Sequence, residues 1–362
     1  MSIPIKKSLL IIIIIISFTC LLQIKYVNPI KNLEAAIVYI RQDGSIEPSN
    51  VPILKEGNTY KFEDDIVVFS VVIEKSSIII DGNGHELIGP GIYNGSAGFL
   101  LNNLSNVIIK NAKITNFYWG IRFVESKNVS IIKNVLFGNA HGVNSLWSEN
   151  SVVSRNKVTG NMGGGVYVVN SYNITLISNL IVENNVYGVR FMNSKNSTVI
   201  GNIIARNIGS GIHMMQSDNN IIYNNNFLYN LPNVVTTDSI NFWNTDYPEG
   251  GNYWEDYNGT DVLSGVFQST LGADGIGDTP YIIGENDIDN YPFIRPLAIV
   301  LLGDVNYDGA VDINDLTDLA SHYNLQNDAE NWVPELDLAP PYGKIDIFDL
   351  VTCASNYGKT FP

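Results

Sequence analysis

The chain has 362 residues, with 36 acidic against 21 basic side chains and a formal net charge of −15. That balance argues against a nucleic-acid partner, because phosphate backbones are held by Lys and Arg. An apolar fraction of 45% with 16% charged residues suits a β-rich protein long enough for two domains and a targeting segment.

Lys6 and Lys7 precede an isoleucine-rich apolar run from Ser8 to Ile24. A charged start followed by an apolar stretch is the layout of an export signal, predicted here over residues 1–26. No Ala-x-Ala site follows, and the run nearly has the length that crosses a bilayer. An uncleaved anchor is therefore the alternative, and membrane contact is expected only through this segment. Of the two cysteines, Cys20 lies in this segment and Cys353 near the C-terminus, so a cleaved chain has no internal disulfide to form.

Through the middle of the chain an asparagine recurs every 22 or 23 residues, at Asn111, Asn134, Asn156, Asn179, Asn202 and Asn225. A second series runs five residues behind, at Asn116, Asn139, Asn161, Asn184, Asn207 and Asn230. Glycines follow at Gly120, Gly142, Gly165, Gly188 and Gly211, each with an apolar residue after it. Three residues before the first series lies the column Ile108, Ile131, Val153, Leu176, Val199 and Ile222. A fixed period of this length, built from short Val/Ile/Phe runs broken by Asn and Gly, predicts a solenoid of parallel β coils. Each coil holds three short strands and three bends, stacked about 4.8 Å apart. The asparagines are expected at the bends, where they tolerate left-handed backbone and form ladders.

Two residues after each glycine a column is expected to face outward: Arg122, Asn144, Tyr167, Arg190 and His213, beside Trp119, His141 and Tyr187. Aromatic rings stack on sugar faces and guanidinium pairs with uronate carboxylates. Trp119, Arg122, Tyr167, Arg190 and His213 are accordingly the candidate carbohydrate-binding residues, against an ordinary polar surface. No catalytic constellation stands out. Glu125, Glu149 and Glu183 fall in different columns, and no Asp lies between Asp81 and Asp218. A later acidic group, including Asp246, Glu255, Asp256, Asp261, Asp274 and Asp278, reads either as a site or as a structural cap.

Residues 304–315 place Asp304, Asn306, Asp308, Asp312 and Asp315 at positions 1, 3, 5, 9 and 12 of a loop with glycine at 6. This is an EF-hand-type calcium loop, with Ala310 offering its carbonyl. The segment repeats after 34 residues: Asp312, Asp315, Leu316, Leu319, Ala320 and Tyr323 match Asp346, Asp349, Leu350, Cys353, Ala354 and Tyr357. Each loop feeds a short amphipathic helix. The second loop keeps Asp337, Asp346 and Asp349 but is one residue longer and has prolines in mid-loop, so calcium there is expected to be weaker or absent.

The coils from about Ser76 to Asn230, with the entry segments Ile37–Asp43 and Asn58–Asp65 and the closing segments Gly251–Tyr257 and Asp274–Tyr281, resemble the NosD-like and carbohydrate-binding/sugar-hydrolase β-helix families. The resemblance implies a right-handed parallel β-helix over 27–300. The duplicated segment, within 301–362, resembles a type I dockerin. That implies a cohesin-like partner contacted near Ile313, Asn314, Ile347 and Phe348. Three readings follow, in order. The first is an exported carbohydrate-binding solenoid on a calcium-dependent dockerin; if it is an enzyme, it is a polysaccharide lyase or glycoside hydrolase. The second is a non-catalytic surface solenoid. The third is a NosD-like copper-enzyme maturation factor, for which His213-Met214-Met215 is the best ligand candidate and the ligand inventory is poor.

Overall fold

The computed structural model describes residues 37–297, 302–306, 310–327, 329, 333, 336–339 and 343–359, all within one unit that begins at Ile37. The predicted export signal at 1–26 and the loop residue Asp308 lie outside the described residues.

One coil shows how the chain builds its architecture. Trp119–Val124, Ser130–Ile132 and Val135–Phe137 are its three strands, and each pairs in parallel with the matching strand of the next coil, His141–Leu146, Glu149–Ser154 and Lys157–Thr159. Repetition produces three sheets of ten, nine and nine strands, a parallel β-solenoid of about nine turns. At the entry end, Ile37–Ile40 pairs with Ile46–Glu47 and Ile53–Glu56 with Thr59–Phe62, both antiparallel. Period-2 alternation turns Ile121, Val143, Val189 and Ile212 fully inward, where they stack on one another. From Asn134 onward the other two sheets supply equally buried columns, Ile131 to Ile222 and Leu136 to Phe227.

The predicted columns need one correction, confined to the first coil. Ile109, not Ile108, pairs with Ile131 and is buried. In the same way the main-chain N–H groups of Ala112 and Phe117, not of Asn111 and Asn116, donate to Asn134 and Asn139. Asn111 and Asn116 instead have left-handed backbone, with φ of 55° and 64°, in the columns that hold Lys133, Arg155 and Ser178, and Gly138 and Gly160. Contrary to the expectation from the sequence, the ladder asparagines are therefore not the left-handed residues; each directly follows one. Each side chain reaches into the coil, where it satisfies main-chain groups that the bend leaves unpaired. In Asn156, Oδ1 accepts from the Asn134 main chain at 2.9 Å, and Nδ2 donates to the Ile131 carbonyl at 2.9 Å and to Asn179 Oδ1 at 3.0 Å.

A serine ladder runs along another corner through Ser126, Ser148, Ser171, Ser194 and Ser217. All the ladders have one polarity: an N–H of one coil donates to a side-chain oxygen of the next. The serine ladder ends on Ser239 Oγ, but the last donors of the two asparagine series, and of a further ladder through Ser197, Asn220 and Asn241, meet carboxylates. Asn252 N donates to Asp289 at 2.7 Å, Asn241 N to Asp287 at 3.0 Å, and Asn233 Nδ2 to Glu255 at 2.7 Å.

The C-terminal segment contains the two short helices, Ile313–Ser321 and Ile347–Ser355, each opened by a capping box, Asp312 with Asp315 and Asp346 with Asp349. Val311 exchanges main-chain bonds with Gly358 and Lys359, and Ile345 does the same with Asn324 and Leu325, so the 34-residue repeat is also a structural one. Val305, Val311, Leu319, Leu336, Ile345 and Cys353 form its core. Arg206 of the solenoid donates to the carbonyl of Asn306.

Candidate functional site

The outward face of the first sheet carries a continuous group of rings. Strand register aligns Arg122, Asn144, Tyr167, Arg190 and His213 on successive coils, as the glycine spacing predicts. Trp119 stacks on His141 with centroids 4.4 Å apart, and Tyr167 meets His141 edge-on at 4.8 Å. Tyr187 links Tyr167, at 6.4 Å, to His213, at 5.0 Å. Tyr118 packs edge-on against both Trp119 and His141. Sequence reading passed over Tyr118, whose only signal is its place beside Trp119. Gly163 and Gly164 lie beneath the rings of His141 and Tyr167, where a Cβ would collide with them.

The column is not uniformly exposed. Asn144 and Tyr167 are buried, at 4% and 9% exposure, because neighbouring rings close over them, while Arg122, Arg190 and His213 stay half-buried. Burial pushes the His141 pKa down to about 4 and the Tyr167 hydroxyl up to about 12. His213 is also lowered, first by burial and then by the Arg190 charge. Both rings of the pair are thus neutral near pH 7, and the two guanidinia carry the positive charge of the face.

Those guanidinia lie over rings, Arg122 at 5.8 Å from Trp119 and Arg190 at 5.0 Å from Tyr187. Among the described residues neither has a carboxylate partner, and Arg122 Nε, Arg190 Nε and His213 Nδ1 are buried without any hydrogen-bond partner. Unpaired donors on an otherwise acidic chain are suited to an anionic group bearing oxygen acceptors.

The other candidates resolve differently. Within the later acidic group, Asp261 accepts from the main chain of Asp274 and Gly275, and Asp278 from that of Val262 and Leu263, so these carboxylates hold loop backbone. In the first C-terminal loop Asp304 and Asp315 are buried, and Asp315 accepts from Val305 N, Asn306 N and Asp312 N at 2.9, 3.2 and 2.8 Å. Ala310 immediately precedes Val311 and its cross-repeat bonds. The second loop reproduces this arrangement despite its prolines. Asp349 accepts from Leu338 N, Ala339 N and Asp346 N at 2.6, 2.9 and 2.7 Å. Asp337 Oδ2 accepts from Gly343 N at 2.6 Å, while its Oδ1 is buried without a partner. Elsewhere, Asp64, Asp65 and His85 bring metal-type ligand atoms together at the entry end.

Residues 57–259, more than half of the chain, match the sequence profile of the family described as periplasmic copper-binding protein (NosD). No curated protein matches the chain. Solved structures similar to it include the periplasmic alginate epimerase AlgG, 22% identical over 44% of this chain and 38% of that one, with a TM-score of 0.35. Tailspike protein 2 of Escherichia coli O157:H7 bacteriophage CAB120 is 17% identical over 64% of this chain and 38% of that one, with a TM-score of 0.42. Pectate lyase Pel9A is 11% identical over 48% and 54%, with a TM-score of 0.35. The chain spans less than two thirds of the length of each.

Proposed function

The chain belongs to the NosD family, and from that premise we propose that it is an exported solenoid that binds an acidic polysaccharide along its aromatic face. The observation that supports this reading is the pair of guanidinia, Arg122 and Arg190, that have no carboxylate partner among the described residues and are set among rings. Coils advance about 4.8 Å, comparable to one sugar unit, so a glycan lying along the axis meets side chains from successive coils. Trp119, Tyr187 and His213 supply ring faces, and Arg122 and Arg190 engage carboxylates. Tyr167, being buried, positions His141 and Tyr187 and does not itself meet ligand. Among the described residues no carboxylate pair sits beside these rings, so binding is favoured over hydrolysis.

The copper of the family's description does not fit this face. Arg190 flanks His213 and lowers its proton affinity, and the same field opposes a bound cation. Met214 is fully buried in the core, while Met215 pairs with Met192 on the neighbouring coil.

We further propose that 1–26 directs export, that 27–300 is the binding solenoid, and that 301–362 is a dockerin-type module that takes calcium and attaches the chain to a cohesin-like partner. Buried Asp304 and Asp315 supply hard oxygen ligands suited to calcium, together with Asn306, Asp308, Asp312 and the Ala310 carbonyl. Asp337, Asp346 and Asp349 are the counterparts in the second loop. Ile313, Ile347 and Phe348, each more than half exposed, supply an apolar docking surface.

Calorimetry of the full chain with oligouronides of two to eight units tests the binding reading. Affinity should rise with length and fall with salt. The Arg122→Ala/Arg190→Ala double variant should lose at least tenfold, and equal affinity for the two proteins would return the column to ordinary surface.

A further inference from the structure

The corner between the first and second sheets forms a second groove that runs along the axis. Its floor is the serine ladder. One lip is the column Asn103, Glu125, Trp147, Asn170 and Asn193, whose main-chain N–H groups each donate to the next coil. The other lip, Ser105, Lys127, Glu149, Tyr172 and Lys195, is held in register by parallel bridges. Between Asn103 and Tyr172 it opens into a cavity of about 470 Å³, within the size range of small-ligand clefts. It shares Asn103 and Leu104 with a second cavity reaching back to Gln42, so the groove continues toward the entry end.

Trp147 is the anomaly in this corner. Its column has left-handed backbone throughout, with φ of 53° at Asn103, 47° at Trp147, 47° at Asn170 and 49° at Asn193. Asparagine suits that conformation and a bulky ring does not. Packing does not explain the choice either, since Trp147 is 56% exposed. Tyr172, on the opposite lip one coil further along, is 50% exposed. A strained, solvent-facing ring opposite a second exposed ring points to a ligand rather than to the fold.

We propose that this groove is a second binding site, for an uncharged linear oligosaccharide. The rings of Trp147 and Tyr172 take its apolar sugar faces. Glu125, Lys127, Glu149 and Asn170 exchange hydrogen bonds with hydroxyls. Carboxylates and ammonium groups nearly balance along the lips, so the groove does not select acidic chains as the aromatic face does. An extended peptide fits less well. It needs free main-chain partners, but the backbone here is already paired from coil to coil, and the floor hydroxyls are engaged: Ser126, Ser148 and Ser171 Oγ each donate to a carbonyl of their own coil while accepting from the coil before.

The test uses the full chain, with tryptophan fluorescence and calorimetry against β-1,4-linked gluco-, manno- and xylo-oligosaccharides of two to six units. At least one series should bind, with affinity rising with length. Trp147→Asn restores the residue its column favours, so its thermal midpoint should be unchanged or higher, while affinity should drop about tenfold; Tyr172→Ala should lose a similar factor. Absence of binding across the panel, or wild-type affinity in Trp147→Asn, overturns the proposal. Repeating the titration with saturating oligouronide separates the two sites. If the aromatic face takes no oligouronide, the neutral titration stands unaltered; if the groove fails, oligouronide binding persists.

Discussion

Asn134 and Asn111 have the same side chain, lie on adjacent coils and differ by one place in register, so replacing each with alanine tests the ladder directly. Asn134 is 1% exposed; its Oδ1 accepts from Ala112 N at 3.0 Å, and its Nδ2 donates to the Ile109 carbonyl at 2.9 Å and to Asn156 Oδ1 at 3.2 Å. Asn156 Oδ1 keeps the Asn134 main-chain N–H as a donor, so Asn134→Ala orphans the buried Ala112 N–H and removes the two Nδ2 bonds. At roughly 1–3 kcal/mol for the unsatisfied group and about 1 kcal/mol for each lost bond, the expected loss is about 3–4 kcal/mol. Asn111→Ala removes one partly buried bond, to Asp81 at 3.1 Å, and some tolerance of left-handed backbone. That loss should be about 1 kcal/mol. Guanidinium unfolding of both variants gives the comparison, and hydrogen exchange of peptides spanning 104–117 localises it: protection around Ala112 should collapse only in Asn134→Ala. Equal losses, or a larger one for Asn111→Ala, would refute the register and the satisfaction argument together.

Calcium added after chelator should increase the helical signal of the full chain at 222 nm, because the ion brings together carboxylates that otherwise repel. Asp304→Ala should abolish most of that change and Asp337→Ala should reduce it less; no difference between chelator and calcium would defeat the proposal. His141 supplies a pH test. Its folded pKa is depressed to about 4 by burial, below the ordinary 6.5, so its contribution to stability is fully present above pH 6.5 and is lost as pH falls toward 4. After allowance for partial exposure this amounts to about 2 kcal/mol. Thermal midpoints between pH 4 and 7 should fall more steeply for the wild type than for His141→Phe, and parallel curves would place His141 in solvent.

The solenoid was legible because stacking forces the same residue type to recur at the same place in every coil. Once coils repeat, as they do from Asn134 on, the ladder and core columns can be read from the spacing alone. The first coil was misread because it lacks a preceding asparagine coil. Ala112 and Phe117 fill the ladder places there, and the adjacent asparagines imitate the pattern from left-handed positions. The outward column was also readable, since it depends on period-2 alternation. The burial of Tyr167 was not, because it depends on which rings fold over it from neighbouring coils. Glu125 and Glu149 looked unrelated as members of different columns. They share a groove because a three-residue corner sets those columns on opposite lips, a relation that spacing does not encode.

The polarity of the ladders accounts for Asp287 and Asp289, two buried aspartates that the sequence reading did not single out. The main-chain rungs of the asparagine ladders all donate toward the C-terminal end, so those ladders arrive there with N–H groups still to be satisfied, in the way that a helix leaves orphan donors at one end only. An amide cap would bring donors of its own to that end, whereas a carboxylate brings acceptors alone. Asp289 accepts Asn252 N and Trp254 Nε1, at 2.7 and 2.9 Å, and Asp287 accepts Asn241 N and Trp243 Nε1, at 3.0 and 2.8 Å. Both indoles are fully buried against the final coils. Each aspartate therefore closes a ladder and anchors the ring that covers the end of the core. Burial raises Asp289 to about 7 in spite of its donors, a cost that a fold accepts more readily than a row of unpaired amides beneath two tryptophans. In this reading Asp287 and Asp289, together with Glu255 of the later acidic group, terminate the solenoid, and ligand chemistry is left to the aromatic face and the corner groove.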